Sequence, residues 1–183
     1  MKNDPTILSI ETSLDDTCAA VTIGRRVISN VVSSQTSYHA SWGGTVPDIA
    51  KRLHQEWLPK VVDLALRQAG LSPLTPGVIT TSHSRSVMLP DALAVTIGPG
   101  LAPSLEQGIA YIKTLETRLQ IPVIAVNHME GHLLSSFACT KAGTRGLKSP
   151  LYPALGFLIS GGHTELVLMK EMGVYELLGE TID

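Results

Sequence analysis

The chain has 183 residues, 44% hydrophobic and 16% charged, which is enough apolar material for one good core in a globular protein. No run approaches the roughly 18 uninterrupted apolar residues of a membrane span, and a net charge of −2 gives no global pull on nucleic acid, whose binding rests on Lys and Arg neutralising phosphates. A secretory leader is not expected, because Met1-Lys-Asn-Asp-Pro5 opens onto a short apolar run broken by Ser9, and the isolated Cys18 and Cys139 read as reduced thiols of a cytoplasmic protein.

In chain order, Ile7–Ile10 reads as a strand, Glu11–Thr17 as a polar turn and Cys18–Ile23 as a returning strand. Gly24-Arg25-Arg26 turns into a third strand over Val27–Val32, completing an antiparallel meander. A loop with Trp42-Gly43-Gly44 leads to a helix over about 47–69, with Ile49, Leu53, Trp57, Val61, Leu64 and Gln68 on one face, a kink or split at Pro59, and Gly70 as its stop. Residues 71–90 carry three prolines and no apolar period, hence a surface loop.

Asp91–Ile97 is a buried strand ended by Gly98-Pro99-Gly100, and Pro103 opens a helix whose Leu105, Ile109, Ile112, Leu115 and Leu119 keep a 3.6-residue period. A strand over 121–126 hands over to a helix reaching about Thr140, and 141–153 is a basic, Gly- and Pro-containing linker. The late strands, each followed by a helix, must run parallel. The expected fold class is therefore α/β: a mixed five-stranded sheet with flanking helices, the ribonuclease-H-like lobe of actin-like, Hsp70-like and sugar-kinase proteins. Ala154–Ile159, Ser160–His163 and Thr164–Met169 then repeat the strand, turn and strand of residues 7–23. The expected domains are 1–152, and 153–183 as the beginning of a second, incomplete lobe, since some thirty residues cannot bury a core of their own.

The chemistry gathers in the turns. Asn127-His128-Met129-Glu130-Gly131-His132 puts two imidazoles four residues apart at a strand-to-helix corner, the place where open α/β sheets bind ligands. At that spacing the side chains share a helical face, with Cβ atoms roughly 5–6 Å apart, and can reach one metal ion. Asn127 suits the N-cap and Glu130 a variant capping box. His128 lies in the first turn, near the positive end of the helix dipole, which suits a neutral coordinating ring. Two histidines can equally line a polar helix end. Glu130 does not follow the first histidine directly, as the general base of the HExxH peptidases does.

Ser160-Gly161-Gly162 has the make-up of a phosphate cradle or of a plain hairpin turn. Gly98-Pro99-Gly100 before a helix can bind an anion or simply turn the chain. Asp15 and Asp16 are turn formers that can also activate a nucleophile or hold Mg²⁺. His39, His54 and His83 read as surface or helix-end residues without a role.

Taken together, ETSLDDT (11–17), WGGTVPDIAKRLH (42–54), GPGLAPSL (98–105), NHMEGHL (127–133), LISGGHTEL (158–166) and ELLGETID (176–183) closely resemble the tRNA threonylcarbamoyladenosine synthases, once labelled O-sialoglycoprotein endopeptidases. The resemblance implies a metal-dependent acyltransferase acting in tRNA processing. Such an enzyme moves the threonylcarbamoyl group from threonylcarbamoyl-AMP to the exocyclic amine of the adenine beside the anticodon, in tRNAs reading codons that begin with A. It further implies His128 and His132 as ligands of one divalent metal, iron or zinc, and Leu158, Ile159, Ser160, Gly161 and Gly162 as substrate contacts. Asp15 matches an acidic position near the reaction centre. Accessory proteins of the pathway, including a paralogous lobe, would be partners, with no membrane involved.

Leu14 departs from the family's usual Cys, and Pro103 and Glu106 from its small or apolar residues. The family continues past ETID with a helix-borne acidic substrate site and an aspartate that is the third metal ligand, so 1–183 alone is expected to bind metal weakly and to be inactive. Lys51, Arg52, Lys141, Arg145 and Lys148 are candidate tRNA contacts or plain solvated surface. Rival readings are a non-catalytic paralogue that serves as a dimerisation partner, a metal-dependent peptidase and a small-molecule kinase of the same fold class. Retention of the histidine pair argues against the first.

Overall fold

The computed structural model describes residues 4–72, 88–139, 152–159 and 164–181. The sequence readings that fall on 73–87 (including His83), on 140–151 (including Lys141, Arg145 and Lys148) and on Ser160, Gly161 and Gly162 lie outside the described residues. The chain divides into two compact units, Met1–His128 and Met129–Asp183.

The first unit is built on β1 (Thr6–Glu11), β2 (Asp16–Ile23), β3 (Arg26–Ser34), β4 (Ala92–Gly98) and β5 (Val123–Asn127), in the order β3-β2-β1-β4-β5. β1 pairs antiparallel with β2 and parallel with β4, and β4 pairs parallel with β5. This is the mixed sheet that the strand order implied. Alternation along the strands sends Leu8 and Ile10 of β1, Ala19 and Val21 of β2, and Leu93 and Val95 of β4 to one face. Two long helices cover that face, α2 (Pro47–Ala69) and α3 (Ala102–Leu119), contributing Leu58, Val61, Val62, Ala65 and Leu66 from one and Ile112 and Leu115 from the other. The stretch read as an irregular loop before α2 contains a short helix α1 (Thr36–His39) and a 3-10 turn (Ala40–Trp42).

Two features of α2 differ from expectation. The helix runs unbroken through Pro59, because that residue is exposed, so its ring and missing N–H disturb solvent-facing backbone rather than packing. Its buried stripe is Ala50, Leu53, His54, Leu58, Val61, Val62, Ala65 and Leu66, while Leu64 is 46% exposed. Successive steps of four residues advance 400°, so a line drawn through 49, 53, 57 and 61 drifts about 40° per step around the helix. The true stripe alternates threes and fours. Gly70 ends α2 in the left-handed conformation, its N–H given to Arg67 O and that of Leu71 to Leu66 O.

In the second unit, α4 (His128–Ser135), which starts at the boundary, is followed by β6 (Ala154–Ile159), β7 (Thr164–Glu171) and β8 (Val174–Glu180), an antiparallel meander. The repeat of the first hairpin therefore extends to a third strand that the sequence did not reveal, and α4 is shorter than expected. Leu133, Val167 and Met169 form its core, with Phe137, Tyr152, Ala154, Leu158 and Tyr175 packed around them. Gly156 lets α4 lie close on β6: a Cβ there would stand 2.3 Å from a methyl of Leu133.

Candidate functional site

Glu11 closes β1, Thr96 lies near the end of β4, and His128 follows β5 directly, so three parallel neighbours deliver three polar side chains to the carboxyl end of one sheet. The Glu11 carboxylate is their hub. Ser13 N–H donates to its Oε1, and Thr96 Oγ1 and His128 Nδ1 donate to its Oε2 at 2.5 and 3.1 Å. Burial works to raise the pKa of Glu11, but the donors from Ser13, Thr96 and His128 outweigh it and hold the carboxyl below its ordinary value. An ionised carboxylate only accepts, so the shared proton belongs to Nδ1 of His128. In a neutral ring the lone pair then lies on Nε2.

The turn between β1 and β2 is held from several sides. Leu14 O accepts His54 Nε2–H at 3.0 Å and Ser104 Oγ–H at 3.2 Å, and Ser13 O accepts Leu101 N–H at 2.7 Å. Thr12 Oγ1 donates to Ser104 O at 2.9 Å, and Asp15 O accepts Gln35 N–H at 2.9 Å. Gly98-Pro99-Gly100 therefore serves this turn: a Cβ on Gly100 would come within 2.6 Å of Ser13 O. Gly108 does the same for α3 a turn further along, where a Cβ would stand 2.5 Å from the hydrogen-bonded Thr12 Oγ1. Gly108→Ala is expected to cost about 1–3 kcal/mol, as overpacking does, in urea unfolding followed by tryptophan fluorescence. Both tryptophans, Trp42 and Trp57, lie in the first unit, so the signal reports that unit.

His39 and His54, read as surface residues, are buried at 4% and 0% exposure. His54 is fixed by Leu14 O on one side and on the other accepts Thr17 Oγ1–H at 2.8 Å. His39 accepts Val46 N–H at Nδ1, at 3.3 Å, and gives its Nε2 proton to Gln35 Oε1 at 3.1 Å, which ties α1 to the start of α2. Both burials come from packing and hydrogen bonds made across the fold rather than from the residues next to them. Asp15 is half-buried, and the neighbouring Asp16 Oδ1 is buried with no hydrogen-bond partner among the described residues. Burial first, then the charges of Asp16 and Glu11, push the Cys18 thiol up to about 12, so it stays protonated, as a structural thiol should.

In the second unit His132 lies exposed on α4, four residues after His128 on the same helix. It borders a cavity of about 430 Å³ whose wall includes Ser136 and Phe137 of the same segment and Leu155, Phe157 and Leu158 of β6. Leu158 turns inward to the Leu133 cluster, whereas its neighbour Ile159 is 72% exposed, as strand alternation requires. Glu130 accepts Tyr175 Oη–H at 2.6 Å, and burial followed by this bond raises the tyrosine to about 12. A glutamate so engaged is poorly placed as a peptidase base. Among the described residues no three His, Cys, Asp or Glu side chains are grouped to hold a metal, and of the three or four donors that a site needs the two histidines would supply at most two. The carboxylate-held Nδ1–H of His128 is nevertheless the outer bond that metal-ligating histidines make, and in that respect the residues fit. No helix among the described residues is long and apolar enough to cross a membrane.

Comparison with known proteins gives the chain its relatives. The family model described as tRNA N6-adenosine threonylcarbamoyltransferase matches residues 26–183. Enzymes of that name from Thermomicrobium roseum and Bacillus subtilis are 46% and 41% identical to it, over 97% and 100% of this chain but 45% and 46% of their own length. The chain thus spans a little under half the length of these curated relatives. Among solved structures, YeaZ from Pseudomonas aeruginosa shares the fold at a TM-score of 0.51 and 18% identity, covering 97% of this chain and 66% of that one. The sheet order, the ordered motifs from ETSLDDT onward and these matches agree: the chain belongs to the tRNA N6-adenosine threonylcarbamoyltransferase family.

Proposed function

We propose that this chain contributes to the pocket in which a threonylcarbamoyl group passes from threonylcarbamoyl-AMP to N6 of the adenine beside the anticodon of a tRNA reading codons that begin with A. The observation that carries this is the shared cavity of His132 and Leu158, because Leu158 lies near the end of β6, just before Ser160-Gly161-Gly162 in the sequence, the residues proposed to cradle the adenylate phosphate. In the transfer, the N6 lone pair attacks the carbamoyl carbon, the C–O bond to phosphate breaks, AMP leaves with the bonding electrons, and N6 sheds a proton. Asp15 is the acidic group that takes that proton, and Leu158 and Ile159 set the adenylate's position. His128 and His132 would hold an iron or zinc ion, which when bound supplies a Lewis acid for the carbamoyl carbonyl. Family relatives are threonylcarbamoyltransferases by name, and tRNA, threonylcarbamoyl-AMP and accessory proteins of the pathway, a paralogous lobe among them, are the partners of this reading.

The test is AMP binding to the 183-residue chain in the presence of zinc, followed through the NMR signals of Leu158 and Ile159. AMP at millimolar concentration should shift both. Ser136→Trp, which fills the cavity from an exposed position, should weaken binding about tenfold. Unchanged signals, or binding indifferent to the tryptophan, would overturn the reading. With tRNA and threonylcarbamoyl-AMP supplied, the chain by itself is expected to show no turnover, since no group of three His, Cys, Asp or Glu side chains is placed to hold a metal among its described residues.

A further inference from the structure

Glu11 takes no role in the chemistry outlined above, yet both of its carboxylate oxygens are engaged. It receives three side-chain or backbone donors at the end of the central strand. A surface carboxylate that merely satisfied a loop would not need a buried threonine aimed at it, and Thr96 is only 5% exposed. With Ser13 N–H on Oε1 and Thr96 Oγ1–H on Oε2, the carboxylate plane is fixed before His128 meets it.

We propose that Glu11 is a positioning residue for His128: by accepting Nδ1–H it selects the tautomer with the lone pair on Nε2 and fixes the ring plane in which that nitrogen meets a divalent metal. The inference rests on His128 being a metal ligand, and adds to it the group that prepares the ligand. Carboxylate-to-histidine bonds of this kind raise the basicity of the ligating nitrogen, and their loss typically lowers metal affinity about 10–100-fold. A glutamine in place of Glu11 keeps the shape but cannot do the same work. Its one carbonyl oxygen can face either Ser13 N–H or the Thr96 and His128 donors, and its NH₂ meets a donor on the other side.

Two readouts separate this inference from the metal reading beneath it. The first is the ¹⁵N signature of the His128 ring in the metal-free chain. The wild type should show the Nδ1–H tautomer, and Glu11→Gln a mixture or the opposite tautomer. The second is Zn²⁺ affinity by titration calorimetry, where His128→Ala should nearly abolish binding, Glu11→Gln should weaken it about 10–100-fold, and Thr96→Val, which keeps the carboxylate but removes one of its anchors, should weaken it a few-fold. If His128→Ala leaves Zn²⁺ affinity unchanged, the metal reading fails and this inference with it. If His128→Ala abolishes binding while Glu11→Gln alters neither tautomer nor affinity, the metal reading stands and the positioning role is refuted. Should Glu11→Gln fail to fold by circular dichroism, the tautomer and affinity of Thr96→Val decide on the same terms.

Discussion

His54→Ala is expected to lower the stability of the first unit by about 3–5 kcal/mol at pH 8, the sum of a buried cavity and a partner left without its hydrogen bond. The ring is fully buried, and its removal strands the Thr17 hydroxyl, itself at 0% exposure. Leu14 O would keep only Ser104 Oγ–H. The same residue makes stability depend on pH. Burial lowers the pKa of His54, and the Leu14 carbonyl and the charges of Glu11, Asp15 and Asp16, which pull it upward, do not overcome it. Between the depressed folded pKa and the unfolded value near 6.5 the unfolded chain holds more protons, so stability rises with pH across that window. The contribution of His54 is thus fully present above about 6.5 and is lost as pH falls through and below it. Urea midpoints at pH 8 and pH 5.5 should therefore show the wild type converging on His54→Ala as the pH drops. A constant gap between the two proteins would show that the ring does not titrate as its burial demands.

Leu93→Ala is expected to cost about 3–4 kcal/mol, within the range for fully buried leucines. Leu93 has no exposed surface and lies on β4 between β1 and β5, paired with Leu8 on one side and Val123 on the other, beneath the α2 and α3 layer. A cavity at the junction of two strands and two helices can relax only by moving all of them. Ile124→Ala on β5, 45% exposed, supplies the contrast and should change stability by no more than about 0.5 kcal/mol. Similar midpoints for the two variants would mean that the core does not centre where the sheet and helices place it.

The elements of the fold readable from sequence were those that repeat a simple period or form a short apolar run bounded by glycine and proline. β1, β2 and α3 announce themselves through alternation or a 3.6-residue spacing, β4 through its short apolar run before Gly98-Pro99-Gly100, and Gly70 and Pro103 mark helix ends where their backbone preferences require. β8 escaped because Val174-Tyr-Glu-Leu-Leu-Gly-Glu180 has no clean alternation, its pairing with β7 being interrupted at Leu166/Val167 and Met169/Glu171. In the site, the histidine pair was visible because both members lie on one short helix. Glu11 was not, since its meaning comes from partners 85 and 117 residues away. A phase-corrected reading of α2 would have found His54: placed on the stripe of Ala50, Leu53, Leu58 and Val61, a histidine must be buried, and a buried histidine must have partners. Ser104 and Gly108 on α3 carry no period to single them out, yet they are where the helix touches Thr12.

The parallel pairing of β1 with β4 also sets a timetable for the ribosome. Ile7 meets Ala92 only after about 85 further residues have been made, which at ~5–20 residues per second is roughly 4–17 s. Until then β1 is an open edge of the nascent meander, unpaired on the side that β4 will take. Thr96 emerges with the strand that closes that edge, so the carboxylate of Glu11 gains its anchor in the same event that shields the nascent chain from aggregation.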